Sequence, residues 1–160
     1  MQKGLDTTLR LLADRLRASS IQIVRDFRTE RLIVARPRQL NQVFLNLLDN
    51  AVRASPQSGR ISLTLSETDR DSISLVVHDE GMGVPVENRE RIFDPFFTTR
   101  APGEGTGLGL YLSRQIIEAH GGSLRVGSVH GRGAAFIIEL PVAGPIAATS
   151  TTNQSQGAAA

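Results

Sequence analysis

The sequence predicts an α/β fold, a two-layer sandwich in which one mixed, mostly antiparallel sheet carries helices packed on one of its faces. Three observations predict it. Residues 39–55, QLNQVFLNLLDNAVRAS, repeat apolar residues at helical spacing, whereas ISLTLS (61–66) alternates as a half-buried strand does. The succession of such segments reads αββαββ, a loop, then αββ, and 160 residues are enough for one domain with a real core.

Taken in order, Leu5, Leu9, Leu12 and Leu16 keep helical spacing and predict an amphipathic helix over 4–18. Residues 21–27 (IQIVRDF) and 31–35 (RLIVA) are expected as short strands on either side of a polar turn. Pro37 stands near the start of the next helix, where a missing N–H costs little. In that helix Leu40, Val43, Phe44, Leu47, Leu48 and Ala51 form one apolar stripe, with Gln42, Asn46, Asn50 and Arg53 on the opposite face. PQSG after Ser55 is turn chemistry. ISLVVHDE (73–80) is a more fully apolar strand that delivers Asp79 at its end, followed by the loop GMGVP and a short helix near 86–91. Residues 93–107, rich in Phe, Pro, Thr and Gly, have no sustained period. The pattern is helical again from Leu108 to Ala119 and stops at Gly121-Gly122. SLRVGSV (123–129) and AAFIIELP (134–141) are expected as a closing hairpin around HGRG. The expected organisation is an N-terminal helix over 1–20, then one domain over 21–141. A low-complexity tail over 142–160, uncharged throughout, has little to bury.

Composition narrows the classes. Cysteine is absent, which rules out disulfides and thiolate metal sites. No apolar run approaches a membrane span, and MQKGLDTTLR lacks the apolar core of a signal peptide. The net charge is +2; the high pI of 9.9 arises because 17 of the 18 basic residues are Arg. These arginines are scattered among 16 acidic residues, so direct nucleic-acid binding is not expected. His78, His120 and His130 have no metal-ligand spacing and read as structural or surface residues.

The polar face of the 39–55 helix carries chemistry of its own. A solvated face is more usually built from Glu, Lys or Gln, whereas Asn is a mediocre helix former. Its neutral oxygen is a hard ligand suited to a magnesium ion that already carries phosphates. GEGTGLG (103–109) precedes a helix and exposes several N–H groups at its positive end, a place suited to phosphate. It is neither a Walker A loop nor the dinucleotide fingerprint.

Four signals then line up in order: LNLLDNAVRAS (45–55), DEGMGVP (79–85), RIFDPFFT (91–98) and GEGTGLGLYLSR (103–114). Singly each is weak, and DEGMG alone reads as a strand-end acid in a turn. As a set in register they resemble the N, G1, F and G2 boxes of the GHKL ATP-binding superfamily. The closest likeness is to the catalytic domain of bacterial sensor histidine kinases, over roughly residues 20–141. The resemblance implies the Bergerat ATP-binding fold, with ATP and Mg2+ as cofactors. It implies that Asn50 is the magnesium ligand, Asn46 the other amide of that box, and Arg53 a cation that reaches a phosphate. Asp79 would accept from the adenine amino group, with Gly81 and Gly83 letting the base approach the backbone. Gly105, Thr106, Gly107, Leu108 and Gly109 would form the hinge end of a lid whose body is 95–105, with Arg100 as its cation. Phe93, Phe96 and Phe97 would form an apolar latch that orders the lid, although for Phe93 core packing is the plainer reading.

The sequence departs from the family pattern at Ala54, where many relatives carry Tyr, at Ala134, often Thr, and at Glu104, in a lid that often offers Lys. Relatives that hydrolyse ATP, such as DNA gyrase and the mismatch-repair proteins, carry a Glu one turn before the magnesium Asn, as do the anti-sigma-factor serine kinases. Here Asn46 holds that position and cannot take a proton, whereas a neutral imidazole attacks with a lone pair already available. A protein-histidine kinase is therefore expected, with Asn46 positioning and no general base. Its acceptor His would lie on a dimerisation domain outside this chain, of whose linker residues 1–20 would be the end, and a response regulator would act downstream. The expected location is the cytoplasm, with a membrane reached only through the rest of a parent protein. A degenerate nucleotide-binding or protein-interaction module, and a serine kinase or ATPase of the same superfamily, are the alternatives.

Overall fold

The computed structural model describes residues 1–68, 71–99, 105–127 and 133–143. The element order is α1 (Gln2–Leu11), α2 (Ala13–Ala18), β1 (Gln22–Phe27), α3 (Pro37–Ala54), β2 (Arg60–Thr68), β3 (Ser72–Asp79), α4 (Gly109–Ala119), β4 (Ser123–Gly127) and β5 (Ala135–Pro141). Two 3-10 turns, Val86–Asn88 and Arg91–Phe93, stand where a short helix is expected. The five strands form one sheet in the order β1-β2-β3-β5-β4. Only the β1–β2 pair is parallel, so the mixed, mostly antiparallel α/β sandwich predicted from sequence is the fold observed.

The strand period of two decides which side chains face the helices. Ile61, Leu63 and Leu65 of β2 and Ile73, Leu75 and Val77 of β3 are all buried. Register places Leu65 opposite Leu75, Leu75 opposite Ile138 and Ile138 opposite Leu124, giving one apolar row across four strands. The apolar stripe of α3 closes this layer, with Val43, Leu47, Leu48 and Ala51 wholly buried. Pro37 occupies the first turn of α3, and the helix ends at Ser55, which is extended because Pro56 follows. α1 lies against α3 through Leu5 and Leu9, both in the core cluster.

Two expected elements differ. The N-terminal helix is interrupted at Leu12, which leaves the short α2 with no buried residue. Residues 31–35 are not a strand. Leu32 and Val34 are exposed, and the place beside β2 is taken by β1; the Val34 N–H donates instead to Val142 O at 3.1 Å. An apolar run that pairs with no strand of the sheet gives an extended segment only.

α4 is fixed to α3 near its C-terminal end by His120. Its buried ring accepts the Arg36 N–H at Nε2 (3.0 Å), so Nδ1 carries the proton and donates to Ile116 O (2.7 Å). That placement agrees with the structural role read for this histidine.

Candidate functional site

The alternation that buries Ile73, Leu75 and Val77 puts Asp79 on the same face, at the end of β3 and 1% exposed. Its Oδ1 accepts the N–H of Gly81 (2.9 Å) and of Ala134 (3.4 Å), and its own N–H donates to Ala134 O (3.0 Å). Burial pushes the carboxyl above its ordinary value of 3.8; the hydrogen bonds from Gly81 and Ala134 and the neighbouring His78 pull the other way. Gly133 makes this clasp possible. Its φ is +78°, and a Cβ there would stand 1.6 Å from the Asp79 carbonyl oxygen.

The polar face of α3 supplies the opposite wall. Asn46 Nδ2 donates to Gly109 O (3.0 Å) and Ser113 Oγ (3.1 Å), while its Oδ1 accepts from Gln42 Nε2 (3.1 Å). One turn on, Asn50 lines the same space, as do Asp49 and Arg53. Arg53 Nε donates to Asp49 Oδ2 at 2.9 Å.

The third wall is the stretch 97–99 together with 105–107 and the start of α4. The first turn of α4 has no side-chain cap, and Gly109 and Leu110 at this positive end of the helix line the site. Phe96 adopts a left-handed conformation at φ +67°, strained for a bulky residue, and donates its N–H to Gly107 O (3.1 Å). Gly107, also left-handed, lies so close that a Cβ would meet the Phe96 carbonyl carbon at 2.4 Å.

These walls enclose a cavity of about 610 Å³, large enough for a nucleotide-sized ligand. Of the residues singled out in the sequence, Asn46, Asn50, Arg53, Asp79, Gly83, Gly105, Thr106, Gly107 and Gly109 line it, as do Ala54, Phe97 and Ala134. Three stand back. Gly81 holds Asp79 from behind, Leu108 is the N-cap residue of α4, and Phe93 is buried with the Arg114 guanidinium 5.0 Å from its ring centroid. Arg100 and Glu104 lie outside the described residues, as do His130 and most of the tail. Phe96 is 74% exposed and Phe97 lies under Arg91, 4.7 Å from its centroid. The sequence reading missed Asp49, Met82, Val84, Ile92, Thr98, Thr99, Leu110 and Phe136 as lining residues. All but Phe136 carried a usable signal, since Asp49, Met82, Val84, Ile92, Thr98 and Leu110 sit inside the four motifs and Thr99 inside the expected lid body.

The amide oxygens of Asn46 and Asn50 and the Arg53 guanidinium are a donor set that fits a nucleotide and one hard cation. Among the described residues no three His, Asp or Glu side chains gather around one point. A metal here would rest on one or two protein oxygens plus the ligand's phosphates, as magnesium does in phosphoryl-transfer sites.

The comparisons agree with this geometry. The family model described as histidine kinase-, DNA gyrase B-, and HSP90-like ATPase matches residues 35–144. The sensor histidine kinase ZraS of Salmonella typhimurium is 46% identical over 114 residues, covering 71% of this chain and 24% of that protein. The chain thus spans about a quarter of that relative's length. Among solved structures, the nucleotide-free catalytic domain of histidine kinase ThkA aligns with a TM-score of 0.81 and 32% identity, covering 89% of this chain and 93% of that one. Full-length ShkA in complex with AMPPNP aligns at 0.78 and 33% identity, covering 91% of this chain and 30% of that one. ThkA in complex with the response regulator TrrA aligns at 0.76 and 28% identity, covering 89% and 40%.

Proposed function

The chain belongs to the histidine kinase-, DNA gyrase B- and HSP90-like ATPase family, and from that premise we propose that it is the catalytic half of a two-component sensor histidine kinase. It binds Mg-ATP in the cavity between α3, the end of β3 and the start of α4, and passes the γ-phosphoryl group to a histidine on a separate dimerisation domain. Asp79 accepts from the adenine amino group. Asn50 holds the magnesium ion, Arg53 meets a phosphate, and Gly105–Gly109 with the first turn of α4 surround the phosphate tail. When bound, magnesium supplies neutralisation of the phosphate oxygens. The relative crystallised with a response regulator supports a downstream partner of that kind. Among the described residues no helix is long and apolar enough to cross a membrane; the proposed location is the cytoplasm, where ATP is available.

The observation that carries the choice of acceptor is the commitment of Asn46. Its Nδ2 donates twice into the first turn of α4 and its Oδ1 accepts from Gln42. A carboxamide so engaged neither accepts a proton nor orients a water as a base would. A neutral imidazole needs neither, because its ring nitrogen bonds to phosphorus with an existing lone pair while the bond to the ADP oxygen breaks. The test is titration of a non-hydrolysable ATP analogue with magnesium into the chain and an Asn50→Ala variant, followed by phosphotransfer to an added dimerisation domain. Binding lost in the variant and an alkali-stable, acid-labile product are expected. Brisk hydrolysis by the chain alone, or an alkali-labile product, overturns the proposal.

A further inference from the structure

One charged group in the cavity wall has no part in the chemistry above. Asp49 lines the cavity beside Asn50, and its side chain is 24% exposed. Its Oδ2 accepts from Arg53 Nε at 2.9 Å, and its Oδ1 is paired with the Arg15 guanidinium. Arg53 belongs to the cavity wall. Arg15 belongs to α2, which buries none of its residues. Besides this ion pair, the end of α2 is held by the Ser58 N–H on Ser19 O (2.9 Å) and by Gln57 Nε2 on Ala18 O (3.3 Å). A single carboxylate therefore joins the cation of the phosphate end to the most weakly packed helix.

We infer that Asp49 and Arg15 are positioning residues for Arg53: the carboxylate is shared between the cavity cation and the α2 cation, so phosphate binding and the seating of α2 are coupled. The inference rests on the cavity being a nucleotide site. A phosphate that engages Arg53 competes with Asp49 for the same guanidinium. The carboxylate freed by that exchange turns its charge to Arg15 and seats α2 more firmly. By linkage the converse holds, and a better-seated Arg15 loosens the grip of Asp49 on Arg53. Without Arg15, Asp49 belongs to Arg53 alone and stands uncompensated beside the incoming phosphates. The pairs are partly solvated, so the effect should be of the size of surface ion pairs, about two- to fivefold in affinity.

The test is calorimetric titration of Mg-ATP analogue and of adenosine into the whole chain, Arg15→Gln, Asp49→Asn and the double variant, each with its thermal melt recorded. Arg15→Gln should weaken the triphosphate about two- to fivefold and leave adenosine unchanged. In the Asp49→Asn background the same substitution should have no further effect, which separates a shared carboxylate from the general field of a lost positive charge. Mg-ATP should also slow amide exchange over residues 13–19 in the parent and not in Asp49→Asn. An Arg15→Gln penalty that persists undiminished in the Asp49→Asn background, or no penalty in the parent, overturns the inference and leaves the nucleotide site standing. A parent chain that binds no Mg-ATP analogue overturns the site itself and the inference with it.

Discussion

Asp79→Asn separates what this carboxylate does for the fold from what it does for a ligand. The two backbone donors, at 2.9 and 3.4 Å from Oδ1, select an oxygen, so the carboxamide must turn its C=O toward Gly81 and Ala134. Its NH2 then occupies the place of the other carboxylate oxygen. An adenine amino group arriving there meets a donor instead of an acceptor. A hydrogen bond to a charged group contributes about 1.5–3 kcal/mol, so the ATP dissociation constant should rise roughly 10- to 150-fold. A purine presenting a carbonyl at that position should lose less, narrowing the gap between ATP and GTP. The fold should respond in the opposite direction. Desolvation is the largest influence on this carboxyl and raises its pKa, so its ionisation works against a burial penalty. Removing the charge while keeping both bonds should raise the melting temperature. Calorimetric titration and a thermal melt on the same samples check both halves. ATP binding within about twofold of the parent by a normally folded variant would refute the reasoning.

The same carboxyl sets a pH dependence. Because its folded pKa lies above the unfolded 3.8, its contribution to stability is fully present below 3.8 and is lost as pH rises through the folded value; denaturation at several pH values should show that decline in the parent and not in Asp79→Asn. Gly133→Ala should cost about 3 kcal/mol or more by urea denaturation, because the added carbon meets a backbone oxygen at 1.6 Å and relief requires β3 and β5 to part. Gly107→Ala should lower stability by about 1–2 kcal/mol in the thermal melt and weaken ATP analogue binding about fivefold or more, since an alanine at φ +67° is strained and presses on the Phe96 backbone. Asn46→Ala removes the bonds to Gly109 and Ser113 and should destabilise by about 2 kcal/mol in chemical denaturation, at about 1 kcal/mol per bond.

Features carried by local periodicity were legible in the sequence. The α3 stripe, the alternation of β2 and the apolar run ending at Asp79 each follow from residues within one element, and all stand where expected. What failed depends on partners distant in the chain. RLIVA has the composition of a strand, and only the pairing of the whole sheet, from which it is left out, shows that it is none. Asp49 reads as an ordinary acid on a helix face until Arg15, thirty-four positions earlier, is brought to it. Gly133 lies in an unremarkable turn sequence, and its need for a bare backbone appears only once β5 is paired beside β3. The glycines at 81, 83 and 107, by contrast, were visible because their neighbours form local patterns.

His120 at one end of α4 and Asn46 at the other fasten that helix to α3 as two bolts fasten a plate. The two helices consequently form a slab whose internal spacing is set, and a ligand pressed against it meets a fixed template. Adjustment to ligands of different bulk must then come from the facing side, where Phe96 and Gly107 already hold their backbones in uncommon conformations. Compounds varied on the slab side should be sorted by shape alone, whereas those varied on the facing side should be sorted by how far that side resettles.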